Sequence, residues 1–254
     1  MISFASTILG TQIPAHSIGV FFLGQAGFVF KLPNGKTIAL DPYFSDCCER
    51  YFGFKRLMAK IMSADDMVFD YLVVTHAHYD HFDPDSVPTL MENKKTRLFA
   101  AKDVEAECQR LNLKERLTFM AVGDTADLGD AKLTAVRCDH GPDTPFALGY
   151  VIEYDNKKIY IMGDTAYRPD WLNDPFIQRP DLLILPINGA FGNLDETTSV
   201  KVIKALKPGL VIPCHYWNFA QHLGNPGAFI ENMKKDCPGQ SYMLMRQGES
   251  YILS

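Results

Sequence analysis

Tyr71-Leu72-Val73-Val74-Thr75-His76-Ala77-His78-Tyr79-Asp80-His81 is the stretch on which the reading of this chain turns. Its first five residues form a continuous, mostly apolar run, as a buried strand requires. The next six read His-x-His-x-Asp-His. Side chains alternate along extended chain, so His76 and His78 project to the same side. A turn directly after them swings Asp80 and His81 to a neighbouring position. Imidazole and carboxylate are ligands of zinc, manganese and iron. A single His-x-His pair has ordinary explanations on a surface. Three histidines and an aspartate within six residues at a strand end have few. The segment therefore predicts ligands for two adjacent metal ions.

Further ligands are expected at other strand ends. His140 follows a strand at Lys132–Arg137, Asp164 ends a hairpin in Gly163-Asp164-Thr165, and His215 follows a strand at Gly209–Pro213. Each alone reads as a cap or a hydrogen-bonded histidine. Beside the His76–His81 motif, each sits where a sheet edge presents ligands to a cleft. Asp41, before Pro42, has two readings of equal weight: a turn cap, or a partner that orients a ligand histidine through its free ring N–H. Cys214 adjoins His215 but faces the other way along the strand, so it reads as packed. His16 reads as a surface residue and His222 as lining a pocket mouth. Trp217 and Phe219 read as packing residues. Lys55-Arg56 lies among Phe52, Phe54, Leu57 and Met58; by default it reads as a solvated pair, and it could also bind a substrate phosphate or carboxylate.

Working outward, the strands are Val20–Leu23, Gly27–Leu32, Thr37–Leu40, Tyr71–Thr75, Lys132–Arg137, Tyr150–Tyr154, Lys158–Met162, Asp181–Leu185 and Gly209–Pro213. Asp103–Leu111, Thr197–Leu206 and Ala228–Lys235 carry helical spacing. Gly27-Phe28-Val29-Phe30-Lys31-Leu32-Pro33-Asn34-Gly35-Lys36 is echoed by Gly149-Tyr150-Val151-Ile152-Glu153-Tyr154-Asp155-Asn156-Lys157-Lys158. Both stretches read as hairpins, and both run on to an aspartate, Asp41 and Asp164. A duplicated half-domain is the preferred explanation: an α/β chain of two packed sheets with helices outside. No linker or charge block divides it, so residues 1–254 are expected to form a single domain.

The composition narrows the functions. The chain has 254 residues, 47% of them hydrophobic and 22% charged, which suits a globular protein with a substantial core. Lys+Arg 25 against Asp+Glu 30 gives a net charge of -5, which weighs against a broad nucleic-acid surface and hence against a nuclease. No apolar run reaches the ~18 residues of a membrane span. The six cysteines form no CxxC pair, and the N-terminus carries no signal-peptide pattern. A reduced cytoplasmic protein with no nucleic-acid or membrane partner is the expectation. Self-association is left open.

These residues together resemble the metallo-β-lactamase superfamily. The resemblance runs from Gly24-Gln25-Ala26-Gly27 through the histidine motif to His140, Asp164 and His215. It implies a four-layer αβ/βα sandwich with a dinuclear site at the sheet edge. It also implies roles. His76, His78 and His140 would bind one metal; Asp80, His81 and His215 the other; Asp164 would bridge them. Asp80 would be both ligand and proton shuttle. Two divalent ions, Zn2+ or Mn2+, would activate a water for attack on a carbonyl or phosphorus. Gly24–Phe28, Asp41–Ser45, Gly53–Met58 and Ile212-Pro213-Cys214-His215-Tyr216-Trp217-Asn218-Phe219 look most like the L-ascorbate-6-phosphate lactonase branch. That resemblance implies hydrolysis of a small anionic substrate such as a sugar lactone phosphate, with Lys55, Arg56, Tyr216 and His222 as substrate contacts. The alternatives are a metal-dependent phosphodiesterase and a non-catalytic metal-binding regulator.

Overall fold

The computed structural model of this chain describes residues 3–254. The elements run α1 (Phe4–Gly10), β1 (Ile18–Gly24), β2 (Gly27–Lys31), β3 (Thr37–Leu40), α2 (Cys47–Phe52), β4 (Tyr71–Val74), α3 (Ser86–Glu92), β5 (Arg97–Ala101), α4 (Val104–Arg110) and β6 (Leu117–Met120). They continue as β7 (Thr125–Asp127), β8 (Ala131–Arg137), β9 (Leu148–Tyr154), β10 (Lys157–Ile161), β11 (Leu182–Pro186), α5 (Glu196–Leu206), β12 (Leu210–Cys214), α6 (Pro226–Asp236) and β13 (Ser250–Leu253). Two compact units result. One extends to Met120 and is completed by Arg246–Ser254; the other is Ala121–Met245.

The first unit is built on a seven-stranded mixed sheet ordered β13-β1-β2-β3-β4-β5-β6. Strands β1 to β3 form an antiparallel meander, and β3 to β6 run parallel. Parallel strands need both faces covered, and β1 to β4 are buried along their whole length. One face packs Phe21, Val29, Leu72, Val74 and Leu98 with Ile8 of α1, Leu90 of α3 and Val104 of α4. Buried Lys31 donates to the carbonyls of Ile8, Leu9 and Thr11 at 2.8, 2.8 and 2.9 Å, so β2 holds the end of α1.

The second unit repeats the plan. Its six-stranded sheet is ordered β12-β11-β10-β9-β8-β7. Strands β7 to β10 are antiparallel, and β10 to β12 are parallel. Val151, Leu183, Leu185 and Val211 pack with Val200, Ile203 and Leu206 of α5 and with Phe229 and Met233 of α6. A capping box between Asp195 and Thr198 opens α5, and Lys207 in the left-handed region closes it before Pro208. Asn225 accepts from the Gly227 and Ala228 amides to start α6, with Pro226 in the first turn.

The two hairpins matched in the sequence, β2–β3 and β9–β10, are antiparallel, and each hands over to a parallel strand. Asp41 follows β3 and Asp164 follows β10, so both stand just past a parallel strand's carboxyl end. Ligands gather there in α/β sheets. His76 follows β4, and His215 directly follows β12. None of the helices among the described residues is long and apolar enough to cross a membrane.

Candidate metal centre

In the first unit the centre is organised by Asp41. Its φ is 42°, a left-handed turn that stops β3 before Pro42 and leaves the carboxylate 1% exposed. Oδ1 accepts from the Thr75 amide at 2.8 Å, and Oδ2 accepts from the Thr75 hydroxyl at 2.6 Å and from His81 Nδ1 at 2.8 Å. Of the two readings left open for Asp41, these bonds support the second: the carboxylate orients a histidine.

Proton counting makes Nδ1 the donor on the His76 and His81 rings. Asp41 offers only acceptors, so Thr75 gives its single hydroxyl proton to Asp41. The Thr75 oxygen, 2.9 Å from His76 Nδ1, then accepts from it. His81 likewise uses its Nδ1 proton on Asp41. In the neutral rings, Nε2 of both His76 and His81 carries the lone pair. His76 Nε2 lies 3.1 Å from His78 Nδ1, and His81 Nε2 lies 3.5 Å from Asp80 Oδ2. Buried Gln25, at φ 56° in the β1–β2 turn, donates from Nε2 to Asp80 Oδ2 at 2.9 Å. Asp83, two residues past the motif, accepts from the amides of Phe44 and Ser45 and from the hydroxyls of Ser45 and Ser86. It thereby ties the loop after Asp41 to the start of α3.

In the second unit the focus is Asp164 Oδ2. It lies 3.0 Å from His215 Nε2 and 3.9 Å from His140 Nε2. Asn193 Nδ2 donates to the same oxygen at 2.7 Å and is shared with Asn188 Oδ1 at 3.2 Å. Two acceptors on that nitrogen fix which way the Asn193 amide faces. His215 takes a left-handed φ of 62°, which ends β12 and turns its ring. The ring stacks on His222 with centroids 4.8 Å apart and planes 3° apart.

The donor set fits a small divalent ion. Ligand bonds of about 2.0–2.1 Å place neighbouring ligand atoms roughly 3.0 Å apart in an octahedron and 3.4 Å in a tetrahedron. Three pairs match: His76 with His78 at 3.1 Å, Asp80 with His81 at 3.5 Å, and Asp164 with His215 at 3.0 Å. These spacings serve zinc and manganese alike.

Other expected residues stand differently. Arg56 turns inward: its guanidinium donates to the carbonyls of Tyr43 and Ser45 at 3.0 and 2.7 Å and lies 4.1 Å from the Tyr43 ring centre. Its side chain is only 6% exposed, so its donors serve the protein's own loop in place of a substrate anion. Lys55 is exposed. Tyr216 is buried and donates its hydroxyl to the Met245 carbonyl at 2.7 Å. His222 is buried against His215, with a ring nitrogen within 4.8 Å of one on His215, so it joins the ligand-type groups. Trp217, expected to pack, is 58% exposed. Phe219 and Cys214 are buried and His16 is exposed, as expected. Gln25, Thr75, Asp83, Asn188 and Asn193 carried no role in the sequence reading. Thr75 had a signal in its place between the buried strand and the motif, and Gln25 in the Gly24–Gly27 stretch of the resemblance.

A model of the beta-lactamase superfamily domain matches residues 19–215. The chain belongs to this superfamily. Within it, a UPF0173 metal-dependent hydrolase of Polynucleobacter asymbioticus is 30% identical over 234 residues, covering 85% of this chain and 80% of that protein. A UPF0173 metal-dependent hydrolase of Sulfurisphaera tokodaii is 28% identical over 235 residues, covering 91% and 98%. Among solved structures, Igni18, a metallo hydrolase from the archaeon Ignicoccus hospitalis, superposes with a TM-score of 0.76 at 21% identity, covering 93% of this chain and 98% of that one. The fold is that of the superfamily, as the sequence led us to expect. This superfamily member thus groups with proteins named metal-dependent hydrolases.

Proposed function

We propose that this superfamily member hydrolyses a small-molecule ester, lactone or phosphodiester, using two divalent ions. The ligands in this reading are His76, His78, Asp80, His81, His140, Asp164 and His215. The observation that carries it is the tautomer lock: Asp41 and Thr75 turn an unprotonated Nε2 outward on both His76 and His81. A structural histidine cluster has no need of that arrangement.

A bound divalent ion supplies an acidified water and an electrophile for the oxygen that gains charge. The protein's own groups do the rest. Gln25 holds Asp80 in one orientation, so its carboxylate is set to take the proton released by the attacking water and pass it to the leaving oxygen. Asn193 holds Asp164 in the same manner. A reducing, cytoplasmic setting is part of this reading. The narrower reading, a sugar lactone phosphate such as L-ascorbate 6-phosphate, now has exposed Lys55 as its remaining anion contact, since Arg56 is committed to the Tyr43–Ser45 loop.

The test is a panel of lactones, aryl esters, phosphodiesters and sugar lactone phosphates, run on metal-stripped protein and on protein reloaded with Zn2+ or Mn2+. Turnover of at least one class that appears on reloading is expected. Turnover indifferent to metal would overturn the proposal.

A further inference from the structure

The loops flanking His215 carry a feature that ligand geometry does not explain. Phe191, Trp217 and Leu223 are 61%, 58% and 66% exposed. Each also holds a left-handed backbone, with φ of 54°, 63° and 51°. Among the described residues, no other large apolar side chain is both exposed and left-handed. Both states are unfavourable. A Cβ crowds the backbone at positive φ, and apolar surface left in water forgoes burial. Strain of this kind persists where the surrounding structure imposes it, and it gathers at functional sites.

Contacts tie all three residues to the ligand histidine. The Phe191 ring meets His222 edge-on at 5.4 Å, and His222 stacks on His215. Leu223 follows His222, and its backbone bridges to Gly189, two residues before Phe191. Trp217 lies two residues past His215 and packs edge-on against Tyr216 at 5.6 Å, whose hydroxyl is anchored on Met245. Close packing also pins the loop at Gly224, where a Cβ would come within 2.7 Å of Tyr216 Cβ. The backbone is thus held so that three apolar side chains stand out beside the ligand.

We propose that Phe191, Trp217 and Leu223 form an apolar rim that receives the hydrocarbon part of the substrate. The substrate class is then amphiphilic: a polar reacting group at one end and an alkyl or aryl arm of several carbons at the other. The inference rests on the hydrolase reading for the site's purpose, but its test does not need turnover.

The chain has two tryptophans, Trp171 and Trp217. In a Trp171→Phe background, Trp217 fluorescence reports on the rim directly. The metal-reloaded protein is titrated with acetate, butyrate, hexanoate and octanoate, which share one head group. The dissociation constant should fall about fourfold per added methylene through hexanoate, with Trp217 emission moving to shorter wavelength. Phe191→Ser and Leu223→Ser should each flatten that dependence. Affinity independent of chain length would overturn the proposal, as would a slope unchanged in Phe191→Ser. A Trp217 shift that follows protein concentration without ligand would assign the rim to a second copy and overturn it too. A chain-length dependence with no turnover on any substrate would keep the rim and sink the hydrolase reading.

Discussion

Asp41 does more than any other single residue to set up the first unit's histidines, because one carboxylate decides which nitrogen donates on two of them. Asp41→Asn puts an amide where His81 Nδ1–H had its acceptor. Thr75→Val keeps the shape but removes the oxygen that accepts from His76. Each variant should bind metal roughly 10- to 100-fold more weakly, as loss of a ligand's outer partner does. Chelator competition measures this, and unchanged affinity in both would refute the tautomer lock. Arg56 makes a different prediction. With two carbonyls and the Tyr43 ring as partners, Arg56→Ala should cost about 2–3 kcal/mol of stability in urea unfolding. It should weaken anionic and neutral substrates equally; a loss confined to anionic ones would restore Arg56 to the substrate. The His76–His81 motif stood out in the sequence because its spacing is local. Gln25, Asn188 and Asn193 did not, because an amide declares its role only through a partner: Asp80 lies 55 positions from Gln25, and Asp164 lies 29 from Asn193.

Among the elements, strands with clear apolar patterning were legible to within two residues. β3 falls where its pattern put it, at Thr37–Leu40, and β4 ends one residue short of Thr75, which belongs to the turn. Helices α1, α2 and α3 and strands β5, β6, β7 and β13 were not read from the sequence. Most are short and half-exposed. The four-residue β13 earns its place only by pairing with β1 across the length of the chain. The Asp103–Leu111 helix was read correctly as α4, and its start carries a testable charge. Burial pushes the Asp103 carboxyl from 3.8 up to about 6, against the pull of the Asp103 and Val104 amides. A raised carboxyl pKa means that the folded state binds the proton more tightly between about pH 4 and 6. The contribution to stability therefore falls as pH rises through that window. Asp103→Asn, which keeps the side chain's shape without its charge, should match wild type near pH 4 and melt higher above pH 6. Thermal melts at pH 4, 5, 6 and 7 check this; a difference constant across that range would show that Asp103 does not titrate there.

For the whole chain, the repeated order of hairpin, aspartate and parallel strand explains why so much was legible. Asp41 and Asp164 occupy the same place in two versions of one plan, each just past the strand that turns the hairpin into a parallel sheet. The internal echo, from Gly27 to Lys36 and from Gly149 to Lys158, carried that plan in sequence form. Substrate contacts were less legible. Tyr216, Arg56 and His222 look like binding residues as letters, yet the fold directs the first two to backbone carbonyls and stacks the third on His215. The central claim is that these ligands hold two catalytic ions. Elemental analysis of protein reloaded with Zn2+ or Mn2+ and freed of excess metal tests it most directly, with Asp164→Ala alongside. The account predicts about two ions per chain in wild type, and fewer than one in Asp164→Ala with an unchanged circular dichroism spectrum. Wild type that stays near zero under metal-replete conditions, or an Asp164→Ala variant that still holds two, would contradict it.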